Sequence, residues 1–233
     1  TSDHTVRSVD FTKSNYDWKH MVDDYSHAKT SSQEQDAVAK LMYDVGVATN
    51  MQYTDRASGT QSYMAERALR NYFDYDASMV TRSDEGIDNF IEIVKKELRN
   101  GFPLYISGDS KTGGGHAWVC DGFDEEDRFH MNFGWNGQAN GYYSLATLSV
   151  TSTGSEFNGA QHSFNRRLHV IAIHPNKPNI PKIDADIAYQ SPNINFDYGS
   201  DMAFVGDAPT TLSATAKVMY SRFINQSQTE LVG

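Results

Sequence analysis

Apolar positions change their spacing near residue 100 of this chain. From about residue 30 to that point they recur every three to four residues, the period of a helix with one buried face; after it they alternate, the period of a strand. Thr30-Ser31-Ser32-Gln33-Glu34 opens the first helix, because Ser31 with Glu34 three residues on is a capping-box pattern. Val38, Leu41, Met42 and Val45 predict its inward face, and Gly46 its stop. Met51 to Thr60 reads as a loop. A second helix is predicted from Gln61 to Phe73, with Met64, Ala68, Leu69 and Tyr72 inward. A third runs from about Asp84 to Asn100 on a stripe of Ile87, Phe90, Ile91, Val94 and Leu98, closed by Asn100-Gly101. Ahead of these, the alternation Val6-Arg7-Ser8-Val9-Asp10-Phe11 predicts an edge strand. Tyr16 to Tyr25 predicts a short helix or turn with one aromatic anchor.

Beyond residue 100, strands are predicted at Pro103–Gly108, around His116, up to Asn132, at Gly141–Leu145 and at Arg167–Ile173. Helices first and an antiparallel sheet afterwards give an α+β domain over residues 1–175. Asn176-Lys177-Pro178-Asn179-Ile180-Pro181 is a linker by composition. Three further strands, Ile183–Tyr189, Ala203–Val205 and Thr211–Arg222, make 176–233 the linker and the beginning of an immunoglobulin-like β-sandwich, a fold of about seven strands.

Composition removes several function classes. The formal charge is −10 with no dense basic patch, which argues against nucleic acid as a partner. No apolar run approaches the ~20 residues of a membrane span. With one cysteine there is neither an internal disulfide nor a thiolate metal cluster. The eight histidines are scattered without a metal-ligand spacing, so no metal and no cofactor are expected. Asp124-Glu125-Glu126-Asp127 lacks the loop pattern of a calcium site and reads as a solvated turn. The start at Thr1 fits a processed or trimmed product.

The chemistry concentrates in one hairpin. Gly113-Gly114-Gly115 leads into His116 at the start of one strand, and Asn132-Phe133-Gly134-Trp135 ends the next. A histidine beside glycines suits general acid–base work, since backbone and substrate can approach it closely; the plainer reading is a histidine that merely ends a strand. With Glu125-Glu126 as a two-residue loop, Trp135 falls opposite His116 and Phe133 opposite Trp118. A slip of one residue turns Asn132 toward the histidine instead. Either places a possible orienting group and a water-excluding aromatic beside the ring. No nucleophile accompanies them. Cys120 lies four residues along the same strand, roughly 13 Å away, and reads as core.

The ordered set Leu41-Met42-Tyr43-Asp44-Val45-Gly46-Val47, Arg67-Ala68-Leu69, Gly114-Gly115-His116-Ala117-Trp118-Val119, Asp121-Gly122, His130-Met131-Asn132-Phe133-Gly134-Trp135 and Phe157-Asn158-Gly159-Ala160-Gln161 resembles the streptopain family of bacterial cysteine peptidases. That family includes interpain-like enzymes, and the likeness covers roughly Tyr16 to Ile173. It implies a papain-like α+β fold and hydrolysis of protein or peptide substrates by a Cys–His pair, with an apolar specificity pocket. His116 matches the catalytic histidine, and Asn132 and Trp135 the stretch behind and beside it. Ser58, Gly59 and Thr60 match a loop lining the substrate cleft, and Gly108 and Gly115 its opposite wall. The resemblance also implies secretion from, or display on, a bacterial cell, and an inhibitory pro-segment.

Two departures stand out. The family's nucleophile lies in a Gly-Cys-Val-Ala-Thr-like segment upstream of the matching region, and this chain has no such segment. Phe133 stands where the family commonly has Trp; it can stack on imidazole but lacks the indole N–H. Three explanations fit the missing thiol: internal cleavage with a Cys-bearing fragment of the same precursor as partner, a truncated chain, or a catalytically dead pseudo-peptidase. A rival from another class is a cell-surface adhesion or carbohydrate-binding module using Trp135, Tyr142 and Tyr143 as a sugar platform.

Overall fold

The computed structural model describes residues 6–25, 29–54, 57–110, 114–148, 150–151 and 161–183. Phe157–Ala160 and the tail strands from residue 184 onward lie outside the described residues. Helix α1 (Ser32–Ala48) opens on the predicted capping box: Ser31 Oγ accepts the Glu34 N–H, and the Glu34 carboxylate accepts the Ser31 N–H. It runs past Gly46, and the chain turns only at Asn50, with φ 51°. Gly46 is required for a different reason, since the Tyr53 hydroxyl occupies the space a Cβ would need. The predicted inward face is also corrected. Ala37, Asp44 and Gly46 are the buried residues, while Met42 and Val45 stand exposed.

The predicted loop after α1 contains a small hairpin, β1 (Gln52–Tyr53) with β2 (Ser58–Gly59). Helix α2 (Ser62–Tyr72) follows, then β3 (Tyr75–Thr81), a strand the alternation did not announce. Four consecutive residues of β3, Ala77–Val80, are buried, so both of its faces are covered and no alternation survives. The third predicted helix is two, α3 (Arg82–Glu85) and α4 (Ile87–Arg99). Gly86 parts them at φ 74°, a left-handed conformation natural to glycine.

Strands β4 (Leu104–Asp109), β5 (Gly115–Phe123), β6 (Phe129–Asn132) and β7 (Gly141–Tyr143) come next. A small pair follows, β8 (Val150–Thr151) with β9 (Gln161–His162), and β10 (Arg166–Pro175) completes the set. The main sheet is antiparallel throughout, in the order β3-β10-β4-β5-β6-β7. On one face α4 buries Phe90, Ile93 and Val94 against Leu104, Ile106, Cys120, Met131 and Val170. On the other, Tyr63, Ala65 and Leu69 of α2 cover Ala77, Met79 and Ile171. This gives the expected α+β architecture. Among the described residues no helix is long and apolar enough to cross a membrane.

The amino-terminal alternation does not make a strand. Phe11–Lys13 forms a 3-10 turn instead, and the Phe11 ring stacks on Tyr72 at 4.4 Å, pinning the segment to the end of α2. Trp18–His20 is a second such turn. After β10 the Pro-rich stretch folds back on the domain. His174 Nδ1 bonds to the Pro181 carbonyl at 2.8 Å, the Ile183 N–H donates to Asp76 at 3.0 Å, and Ile183 joins the core.

Candidate active site

His116 is the second residue of β5 and pairs with Gly108 of β4. Alternation puts His116, Trp118 and Cys120 on the core face of the sheet. The other side of the site comes from β6, whose pairing Val119↔Asn132 and Cys120↔Met131 continues toward Phe133 and Trp135. The turn is longer than the predicted two residues, since Phe123 pairs with Phe129. An extra residue at Asp121 then restores the first predicted register before the strands reach the histidine. The ring is accordingly stacked on Trp135 at 4.7 Å, and Trp118 lies 5.2 Å from Phe133.

Nε2 of His116 is 2.8 Å from the Phe133 carbonyl oxygen. A carbonyl only accepts, so Nε2 carries the hydrogen and the lone pair of the neutral ring sits on Nδ1. One tautomer is thereby selected by main chain. Four aromatic rings close around the imidazole: Trp118, Phe133, Trp135 and Phe164, with centroids 4.7 to 6.2 Å away.

Asn132 does not bond to the ring. It pairs with Val119, on the exposed face of the sheet, and its Oδ1 accepts the Gly134 N–H at 3.0 Å. This Asx turn shapes the peptide that presents the Phe133 carbonyl. Asn140 completes the arrangement, its Oδ1 accepting the Phe133 N–H at 3.0 Å. Asn140 escaped the sequence reading, although the turn-rich run Asn136-Gly137-Gln138-Ala139-Asn140 marks the spot. Phe164 escaped it too, and nothing local in the sequence ties that residue to His116.

The predicted cleft residues divide. Gly115 is exposed and pairs with Asp109. Gly108 is buried, and a Cβ there would stand 2.5 Å from the Phe164 carbonyl oxygen. The absence of a side chain at 108 is what lets the Phe164 carbonyl approach. Ser58 and Gly59 are exposed on the small hairpin, and Thr60 Oγ1 donates to the Thr49 carbonyl at 2.5 Å. That bond ties the end of the hairpin to the carboxy-terminal end of α1.

Cys120 is fully buried, and that burial pushes its thiol up to about 12. It is core, as its place in the strand predicted. Among the described residues no group of three or more potential ligands is arranged to hold a metal ion.

The profile of the Peptidase C10 family matches residues 1–143. Over 188 residues, 80% of this chain, the sequence is 35% identical to the thiol protease/hemagglutinin PrtT of Porphyromonas gingivalis. Over 167 residues, 69% of this chain, it is 33% identical to streptopain of Streptococcus pyogenes. The chain spans 21% of the length of the first and 40% of the second. Active wild-type interpain A cysteine protease of Prevotella intermedia shares the fold with a TM-score of 0.60 at 33% identity, over 68% of this chain and 64% of that one. A prointerpain A fragment gives 0.57 at 34%, over 70% of this chain and 49% of that one. The α+β arrangement is thus the papain-like one of these cysteine peptidases. With more than half its length matched by the family profile and its fold shared with interpain A, the chain belongs to the Peptidase C10 family.

Proposed function

We propose that this chain carries the histidine half of a streptopain-type cysteine endopeptidase site, with His116 as its base. The observation that carries the reading is the bond from His116 Nε2 to the Phe133 carbonyl, which fixes the ring with its Nδ1 as the basic nitrogen. A cysteine outside these 233 residues supplies the nucleophile, on a fragment of the same precursor or a longer form of this chain. His116 Nδ1 takes the thiol proton, and the thiolate attacks the peptide carbonyl. The imidazolium then protonates the leaving amine, and water releases the acyl group from sulfur. The aromatic rings around the imidazole exclude water from the pair. Trp135 stacks on the base, while Asn132 serves at one remove, through the turn that presents the carbonyl. Ser58, Gly59, Thr60 and Gly115 are the positions we assign to contact with the peptide. An inhibitory pro-segment and export from a bacterial cell belong to the same reading.

The burial of Cys120 supports placing the nucleophile elsewhere, because a thiol pushed up to about 12 in the core is almost wholly protonated at neutral pH. The test uses the longer, Cys-bearing protein. A covalent thiol-peptidase probe should label it, and His116→Ala should abolish labelling and lower kcat/KM by about 10³-fold. The 233-residue chain by itself should show no thiol-dependent hydrolysis. Robust activity of that chain, lost on Cys120→Ser, would overturn the assignment.

A further inference from the structure

Arg82 begins α3, far from the hairpin in sequence, yet its guanidinium reaches the back of the site. Nη1 donates to the Leu145 carbonyl at 2.9 Å, and Nη2 donates to the Asn165 carbonyl. The two acceptors lie on different segments, one following β7 and one leading into β10. A planar fork with fixed donor directions can hold two such carbonyls at a set separation, which a single ammonium cannot. The side chain of Asn165 adds a second stitch between the same segments. Its Oδ1 accepts the Leu148 N–H at 2.8 Å, and its Nδ2 donates to the Leu148 carbonyl at 2.9 Å.

Phe164 immediately precedes Asn165 in the chain. Its ring is 5.8 Å from that of His116 and 5.3 Å from that of Trp118. Its carbonyl lies against Gly108, the residue paired with His116 across the sheet. The Phe164 segment therefore bounds the imidazole, and Ser163–Asn165, between β9 and β10, is itself neither strand nor helix. The bonds from Arg82 and from Asn165 help to fix it.

We propose that Arg82 is a positioning residue for His116, acting through the Phe164 segment. The guanidinium sets where Phe164 stands, and Phe164 sets the packing of the imidazole against Trp118 and Trp135. The inference rests on the reading of His116 as the base, but its test does not use activity, so the two can fail separately. The 233-residue chain would be prepared with ring-labelled histidine as wild type, Arg82→Lys and Arg82→Met. Histidine ring chemical shifts, which sense neighbouring aromatic rings, would be compared at one pH, alongside thermal unfolding.

The expected result is displacement of the His116 ring signals in both variants, larger in Arg82→Met, where the charge and both donors are gone. His130 and His174 should keep their wild-type shifts, since their partners, Asp121 and Glu97, belong to other parts of the fold. Unmoved His116 signals in a folded Arg82→Met would overturn the proposal. Equal displacement of all three histidines would do the same, by revealing a general loosening. If neither variant folds, Arg82 is a determinant of the fold rather than a positioning group, and the proposal fails.

Discussion

Cys120 and His116 stand on one face of the same strand and are driven to different chemistry by what surrounds them. The thiol is sealed under α4 and Met131, where burial pushes it up to about 12. In the native chain Cys120 should therefore resist a thiol reagent at pH 8 and react once denaturant is added; rapid native labelling would contradict this placement. Replacing Cys120 with Ser buries a hydroxyl among apolar groups and should destabilise the domain by about 1–3 kcal/mol, measurable by urea unfolding. The same strand shows how far single residues were legible. Cys120 was legible as core, while hairpin pairing left two registers open, and the structure has the one that brings Trp135 to the histidine. The turn is longer than predicted and the extra residue at Asp121 left no mark in the pattern, and the two departures cancel in the register at the histidine. Such an extra residue leaves no hydrophobic mark when its side chain is polar and exposed. Here that side chain binds His130 at 2.5 Å on the outer face.

At the scale of elements, α1 carries both a legible feature and a hidden one. Its capping box could be read from Ser31 and Glu34, and Ser31→Ala should lower stability by about 1 kcal/mol, seen as a reduced urea midpoint. Its buried carboxylate could not be read. Asp44 accepts bonds from Ser14 Oγ at 2.8 Å, Tyr16 at 2.9 Å and Lys40 at 2.6 Å, tying the amino-terminal turns to the helix. Burial alone would raise this carboxyl. The bonds from Lys40, Ser14 and Tyr16 outweigh it and leave the group below its ordinary 3.8. A carboxyl lowered in the folded state stabilises above its unfolded value, and that contribution disappears as pH falls through the folded value. Asp44→Asn should therefore lower stability at pH 7 and narrow the gap from wild type as the pH drops below 3.8, when unfolding is followed by circular dichroism across pH. Strand β3 and the break at Gly86 were missed for related reasons. A strand buried on both faces loses its alternation, and a glycine at positive φ interrupts a helix without disturbing its apolar stripe.

For the whole molecule, the change from mostly helix to mostly strand near residue 100 was legible from the change of period, with β3 the main-sheet strand it missed. The fate of the chain after β10 was not, because a Pro- and Asn-rich stretch has the composition of a linker whether it hangs free or packs. Here it packs through a buried pair. His174 Nε2 meets the Glu97 carboxylate at 2.5 Å, while its Nδ1 holds the Pro181 carbonyl and its ring stacks on Phe102 at 3.9 Å. Removing one partner of a buried pair strands the other, so Glu97→Ala should destabilise the domain by about 3 kcal/mol or more. In the same variant, amide exchange at Ile183 should speed up, because its anchor on Asp76 depends on the same folded-back segment. Unchanged exchange there would show that the segment is held without the pair.

The Phe133 carbonyl bears on how this site tolerates sequence drift. The group that selects the histidine tautomer is main chain, so every amino acid supplies it. Position 133 can exchange one aromatic for another, changing the stack while leaving the acceptor in place. A scan of side chains for the orienting group would thus find little at 133 itself. Its strongest signals would fall on Asn132 and Asn140, whose amides hold that peptide from either side. The constraint on the His116 ring is written in its neighbours' turn geometry, and a comparison of sequences by residue identity at 133 alone would overlook it.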